Sequence, residues 1–445
     1  MKRLAVIVSA LALLLYGPVP GAAVEPSEAP PDIIVVMLDD MGAEADVDIR
    51  VMERLPHIRA LFLPDTTAGT SGGMSLDLFG ETPLCCPGRA AFLTGQHTRR
   101  HGVDRLDARR LDATQTIATA LDAVGYHTVQ IGKYLNKAAL LTDHTPPGWD
   151  RVAMFKAGTA DGSSSEWWVN DIVQTRPAFM NDSVRQRAVR WLQTAPPDAP
   201  LFMWLAPTAP HRSSVDLEPV VSVRDRGDAR CADIPPFRPP SYGYAAFPEG
   251  WPLVKVCESL LTVDRMVGAM RAKAALAGRD PIWIMTSDNG MAWGIHGYPQ
   301  KNAPWATRLP FHVAGPGIVP GHVDAMQSQM DLASTIAELG GAVMPWAQAQ
   351  SFTPALFGRP WSGREQLLED HPKSPLSWGD DSGMLMASWS AIRTRDRRLI
   401  RWADGREELY QIGHDPWEQQ DLAATEPDVR AELGGRLDEL LAGAE

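Results

Sequence analysis

Four short stretches of this chain are apolar at nearly every position, and each runs directly into polar, titratable residues. Ile33-Ile34-Val35-Val36-Met37-Leu38 ends in Asp39-Asp40, and Thr128-Val129-Gln130-Ile131 leads to Gly132-Lys133-Tyr134-Leu135-Asn136. Leu201-Phe202-Met203-Trp204-Leu205 leads to Ala209-Pro210-His211, and Pro281-Ile282-Trp283-Ile284-Met285-Thr286 to Ser287-Asp288-Asn289-Gly290. A strand that is apolar throughout is buried on both faces, as in a parallel sheet. Helical periodicity fits residues 181–194 and 257–276 between these runs. Strands alternating with helices predict an α/β fold with a large, mostly parallel sheet flanked by helices. Ligands of such sheets sit at the carboxyl ends of the strands. Four polar strand ends therefore predict one site.

The pattern changes toward the C-terminus. Residues 389–394 and 398–402 alternate as antiparallel strands do, and Asp404-Gly405 marks a turn before Leu409-Tyr410-Gln411. A helix fits 427–442. The expectation is a catalytic domain over 24–345 and a small antiparallel sheet plus helix over 346–445. Residues 212–252 are rich in proline and turn formers and read as a long surface loop over the site. Trp167-Trp168 falls in another irregular stretch, either to stack on sugar rings or to fill core.

Residues 1–23 read as a signal peptide: Lys2 and Arg3, an apolar run from Leu4 to Tyr16, then Gly21-Ala22-Ala23. The run is too short for an ordinary membrane-spanning helix. This predicts a secreted or periplasmic protein with no stable membrane insertion after cleavage. In an oxidising space Cys231 and Cys257 can pair, although four cysteines are too few for a disulfide scaffold. A net charge of −12 makes nucleic acid an unsuitable partner. The same charge means that an anionic substrate needs a local basic pocket.

The candidate chemistry follows from residue types. Asp39, Asp40, Asp288 and Asn289 offer oxygen ligands, which favour Ca²⁺ or Mg²⁺ over zinc. Arg89, Lys133, Lys301 and His211 offer positive charge and donors for a tetrahedral oxyanion, and a histidine can protonate a leaving group. Cys85-Cys86-Pro87-Gly88-Arg89 reads as a helix start, with Pro87 in the first turn and Gly95 as the stop. That places Cys85 where the helix dipole favours an anion, with Arg89 one turn on. The plainer readings are helix-capping aspartates, solvated lysines and two core cysteines.

The run C-x-P-x-R followed by Leu93-Thr94-Gly95 resembles the signature of the type I sulfatases. Asp39-Asp40, Gly132-Lys133, Ala209-Pro210-His211, Ser287-Asp288-Asn289-Gly290 and Lys301 are similar to further motifs of that family, as are Val263-Asp264, Asp331 and Asp415-Pro416. Cys85-Cys86-Pro87, the Lys133-Tyr134-Leu135-Asn136 run and the spacing to His101 resemble the N-acetylglucosamine-6-sulfatase branch. The resemblance implies an alkaline-phosphatase-like (sulfatase) fold. It also implies that Cys85 is oxidised to formylglycine by a formylglycine-generating enzyme. The aldehyde hydrate would attack sulfur beside a metal held by Asp39, Asp40, Asp288, Asn289 and position 85. Arg89 would orient the hydrate, Lys133 and Lys301 would hold sulfate oxygens, and His211 would protonate the leaving oxygen, with His101 a further site candidate. Gly88 stands where the family usually has serine, and the segment after Lys301 runs two residues short of the family's pattern. His296 also matches a family histidine. The expected activity is hydrolysis of sulfate monoesters, with 6-sulfated N-acetylglucosamine or a related sulfated glycan as the candidate substrate. A phosphonate or phosphate ester hydrolase on the same scaffold and a non-catalytic sulfated-glycan binder remain as alternatives.

Overall fold

The computed structural model describes residues 30–64, 72–141, 144–159, 161–213, 218–372 and 387–445, so the segment read as a signal peptide lies outside the described residues. Eleven strands form the large sheet among the described residues. They are β1 (Ile33–Leu38), β2 (Met74–Phe79), β3 (His127–Gly132), β4 (Arg151–Gly158), β5 (Ser165–Val169), β6 (Ile172–Arg176), β7 (Leu201–Ala206), β8 (Ile282–Ser287), β9 (Arg308–Leu309), β10 (Phe311–Ala314) and β11 (Gly321–Ser328). The spatial order is β11-β2-β10-β8-β1-β7-β3-β4-β5-β6, with β9 paired to β2. The central run β8-β1-β7-β3-β4 is parallel throughout, and antiparallel pairs sit at the flanks.

The four apolar runs are four of these central strands, and β1 explains their composition. Ile34, Val36 and Leu38 pack into a core with the long helix Val254–Leu276 on one face. Ile33, Val35 and Met37 pack into a second core with Cys86, Ala90 and Phe92 on the other. Every residue of β1 is therefore buried, and no polar side chain has a place until the strand ends. The expected helices appear as Met180–Gln193 and Val254–Leu276.

A second, antiparallel sheet of four strands follows: β12 (Gln366–His371), β13 (Trp389–Thr394), β14 (Arg398–Trp402) and β15 (Glu407–Tyr410), covered by the helix Pro427–Gly443. Two expectations need correction. Trp167 and Trp168 lie on β5, not in an irregular stretch. Trp167 is fully buried, its indole N–H donates to Ser165, and the Arg187 guanidinium lies 4.5 Å from its ring, so it is core. The segment 212–252 is irregular but not simply a surface loop. It buries Ile234, Phe237 and Trp251, and the Cys231–Cys257 disulfide ties it to the helix Val254–Leu276. Among the described residues, no helix is long and apolar enough to cross a membrane.

Candidate active site

The helix Cys85–Thr94 begins at the strand ends, and Gly95 closes it in the left-handed conformation. Its approach is unusually close. A β-carbon on Gly88 would stand 1.9 Å from the backbone oxygen of Asp288, so glycine is required there by packing. The close contact lets Arg89 reach the site: its Nε donates to Asp288 Oδ2 at 2.8 Å and its Nη1 to the Lys133 carbonyl at 2.6 Å. Its Nη2 lies 3.6 Å from Asp39.

The other groups converge on the same point. Lys133 Nζ sits 3.0 and 2.8 Å from the two oxygens of Asp39. Lys301 Nζ sits 3.0 and 3.1 Å from those of Asp40. Asp40 adopts φ 65°, and its backbone N–H donates to Asp288 Oδ1 at 3.1 Å. A non-glycine residue held there costs about 1–3 kcal/mol, a strain typical of functional sites. Asn289 Nδ2 donates to Asp40 at 2.8 Å. His211 donates from Nδ1 to the Arg212 carbonyl at 2.8 Å, since a carbonyl only accepts. Its Nε2 is thereby left facing Lys301 Nζ at 3.4 Å and Asp40 Oδ2 at 3.4 Å.

Cys85 is buried, and its Sγ lies 3.2 Å from Asn136 Oδ1. The hydrogen bond with Cys86, together with Lys133 and Lys301, outweighs burial and brings the Cys85 thiol down to about 5. Cys86 belongs to the core, and burial raises its thiol. Asn136 was visible in the sequence only as the end of a motif, and its contact with both thiols was not. His101 is not drawn in. It accepts from the Val103 backbone at 3.1 Å, and no polar contact joins it to this cluster among the described residues. His296 stacks on Trp305 with centroids 4.2 Å apart, a packing contact behind Lys301. Val263-Asp264 also has a structural explanation: Asp264 accepts from the backbone of His57 and Ile58 at a helix start.

The donor set fits a hard divalent cation. Ligand atoms of Asp39, Asp40 and His211 lie within 4.8 Å of one another. Burial opposes ionisation of Asp39, but Lys133, with His211 and Arg89 behind it, holds its carboxyl far below the usual range. Burial and the charge of Asp39 instead push Asp288 up to about 7. Asn289 Oδ1 is buried without a hydrogen-bond partner. A carboxyl short of positive charge beside an unpaired amide oxygen is the environment that Ca²⁺ or Mg²⁺ satisfies.

The segment after Lys301 is held from the second sheet and the loop that follows it. Trp389 donates its indole N–H to the Asn302 carbonyl at 2.8 Å, and Arg398 Nη2 reaches the Pro304 carbonyl at 2.5 Å. Trp305 Nε1 donates to Glu418 at 2.6 Å, and Thr307 Oγ1 to Glu369 at 2.8 Å. Beside the cluster opens a cavity of about 540 Å³ bounded by Asp39, Lys133, Asn136 and His211 on one side.

The profile of the family described as Sulfatase matches residues 31–342. An extracellular sulfatase Sulf-1 homolog of Caenorhabditis elegans is 24% identical over 384 residues, covering 75% of this chain and 50% of its own length. The chain thus spans about half the length of that relative. The N-acetylglucosamine-6-sulfatase of Capra hircus is 24% identical over 376 residues, covering 74% of this chain and 64% of its own. A solved structure described as a complex with its substrate D-glucosamine-2-N,6-O-disulfate superposes with a TM-score of 0.74 at 18% identity, covering 94% of this chain and 98% of that one. The fold is alkaline-phosphatase-like, and with the family profile spanning most of its length, the chain belongs to the sulfatase family.

Proposed function

We propose that this chain hydrolyses sulfate monoesters, with 6-sulfated amino sugars and related sulfated glycans as substrates. One observation carries the reading. The helix bearing Cys85 and Arg89 meets Asp39-Asp40, Lys133, His211 and Asp288-Asn289, all from separate strand ends, in a single buried cluster. The relatives named above support the glycan class.

A Ca²⁺ or Mg²⁺ ion held by Asp39, Asp40, Asp288, Asn289 and an oxygen at position 85 would supply Lewis-acid stabilisation of charge. Oxidised to formylglycine by a formylglycine-generating enzyme, position 85 would supply a hydrated aldehyde, with one hydroxyl to attack sulfur and a second to release sulfate as the aldehyde reforms. The chain's own residues do the rest. Lys133 and Lys301, now on Asp39 and Asp40, are within reach of an ester bound at those carboxylates and would hold its sulfate oxygens. Arg89, fixed by Asp288 and the Lys133 carbonyl, orients position 85 and offsets its charge. The Arg212 carbonyl fixes the ring of His211, and Nε2 is the atom that delivers a proton to the departing oxygen. The location we propose is outside the cytoplasm, supported by the N-terminal sequence pattern, the Cys231–Cys257 bridge and the extracellular relative.

Two measurements test this reading. Mass spectrometry of the Cys85 peptide from the native host should show the mass loss of CH₂SH becoming CHO, and an intact thiol refutes the nucleophile. Matched aryl sulfate and aryl phosphate esters should show kcat/KM higher for the sulfate, and the reverse order points to a phosphoester hydrolase.

A further inference from the structure

The cavity beside the cluster has more basic groups than a single sulfate requires. Beyond Lys133 its walls carry Lys137, Lys156 and Arg212, with Phe155 and Met180 as apolar surface. Asp39 is the only carboxylate lining it among the described residues, and Lys133 covers both of its oxygens. The three outer cations come from three elements. Lys137 follows the end of β3, Lys156 lies on β4, and Arg212 follows His211.

In a chain with a net charge of −12, this basic concentration opposes the overall field. Long-range steering does not favour an anionic ligand here, so attraction must come from a local cluster. Lys137 also sits at φ 62°, a left-handed conformation unfavourable for a long side chain. Two acids that pair with these cations, Asp107 at 4.0 Å from Lys137 and Glu166 at 3.1 Å from Lys156, are not among the cavity's lining residues, and Arg212 is likewise engaged by a neighbour. Both lysine side chains are about one-third exposed, and exposed pairs of this kind are worth ~0–1 kcal/mol, so an anion in the cavity can compete for either ammonium.

Resting on the sulfatase reading, we propose that Lys137, Lys156 and Arg212 form a second anion subsite. The preferred substrate is then a saccharide bearing another sulfate or a carboxylate besides the ester that is cleaved. Phe155 and Met180 offer apolar surface to a sugar ring between the two charges. The outer subsite contributes to binding, and the cluster at Asp39 carries the chemistry.

The test separates binding from turnover. The Cys85→Ala protein is titrated calorimetrically with glucosamine 6-sulfate, with glucosamines carrying a second sulfate at N2, O3 or O4, and with a uronate-linked disaccharide 6-sulfate. At least one dianionic probe should bind tenfold or more tightly than the monosulfate. That gain should shrink to threefold or less in the added K137Q/K156Q/R212Q background and should weaken as salt rises. Equal affinity for all probes, or a gain that survives the triple substitution, overturns the subsite. Failure of the sulfatase reading looks different: wild-type protein with formylglycine verified at position 85 binds the probes but releases no sulfate.

Discussion

Two buried charge clusters meet the chain segment that begins at Lys301, one at its start and one at the Pro304 carbonyl, and they are built on opposite plans. Around Arg398 the network is closed. Arg398 pairs with Glu369 at 2.6 Å and with Glu418 at 3.0 Å, and Arg393 adds a second guanidinium on Glu369 at 2.8 Å. Burial raises the cost of charge on Glu369, yet Arg393 and Arg398 overcome it and hold its carboxyl low. At the strand ends, Asp288 shares Arg89 with Asp39, and burial with Asp39's charge leaves it at about 7. A closed network holds two sheets together. An open one keeps carboxylates available to a cation and ammoniums available to an anion.

The sharpest way to break this contrast is at the open cluster. Cys85→Ala should lower turnover by at least about 10⁴-fold, the scale of losing a nucleophile, while thermal unfolding stays close to wild type. Retained sulfate release would remove position 85 from the chemistry. Asp288→Asn should reduce bound metal, measured by elemental analysis, and cost more than about 100-fold in kcat/KM, beyond what loss of a residue that only hydrogen-bonds a metal ligand costs. Unchanged metal content would take Asp288 out of the ligand set.

The closed cluster should respond in stability instead. Arg398→Met leaves Glu369 and Glu418 buried and under-compensated, at a cost of about 3–5 kcal/mol in denaturant unfolding. A near-neutral result would mean that water reaches the network. Gly88→Ser lies between the clusters in kind. Its new side chain meets the Asp288 backbone oxygen at 1.9 Å, so the helix must move, for roughly 1–3 kcal/mol of overpacking and a loss of kcat.

Acid is the gentlest probe. Burial lowers His101 and His371 to about 4 from an ordinary 6.5, so both stay neutral in the folded chain where the unfolded chain takes up protons. Their contribution is present above pH 6.5 and is lost as pH falls toward 4. Glu369 is shifted down as a carboxylate, so its contribution is present above the ordinary carboxylate range and is lost only below it. Between pH 6.5 and 4 the raised carboxyl of Asp288 works in the opposite sense, so the readout is a difference: unfolding free energy of His371→Gln should fall less with acid than that of the wild type. Equal slopes in the two proteins over that range contradict the burial of the His371 imidazole.

The central strands were legible because burial on both faces leaves a run of apolar residues. Of the large sheet's other strands, β2, β4, β5, β6, β9, β10 and β11 were not. Edge and antiparallel strands mix polar and apolar positions, and β9 is two residues long. Trp167-Trp168 read as irregular because turn formers surround it, whereas both residues sit in register between β4 and β6. The site was legible as residue types at strand ends. Its geometry was not, because Lys301 and Asp40 meet across 261 residues and no local spacing encodes such a contact. Gly88 was legible only as an exception, and its reason lies in the backbone of Asp288, 200 positions along the chain.

The clasp of the second sheet on the segment after Lys301 bears on the order of synthesis. Asn302, Pro304, Trp305 and Thr307 are each gripped by residues made later, from Glu369 to Glu418. A nascent chain released at 342, where the family profile ends, would carry every proposed ligand and still lack the scaffold that steadies its last lysine. The ribosome therefore completes this pocket from the inside out, with its tail as the final brace.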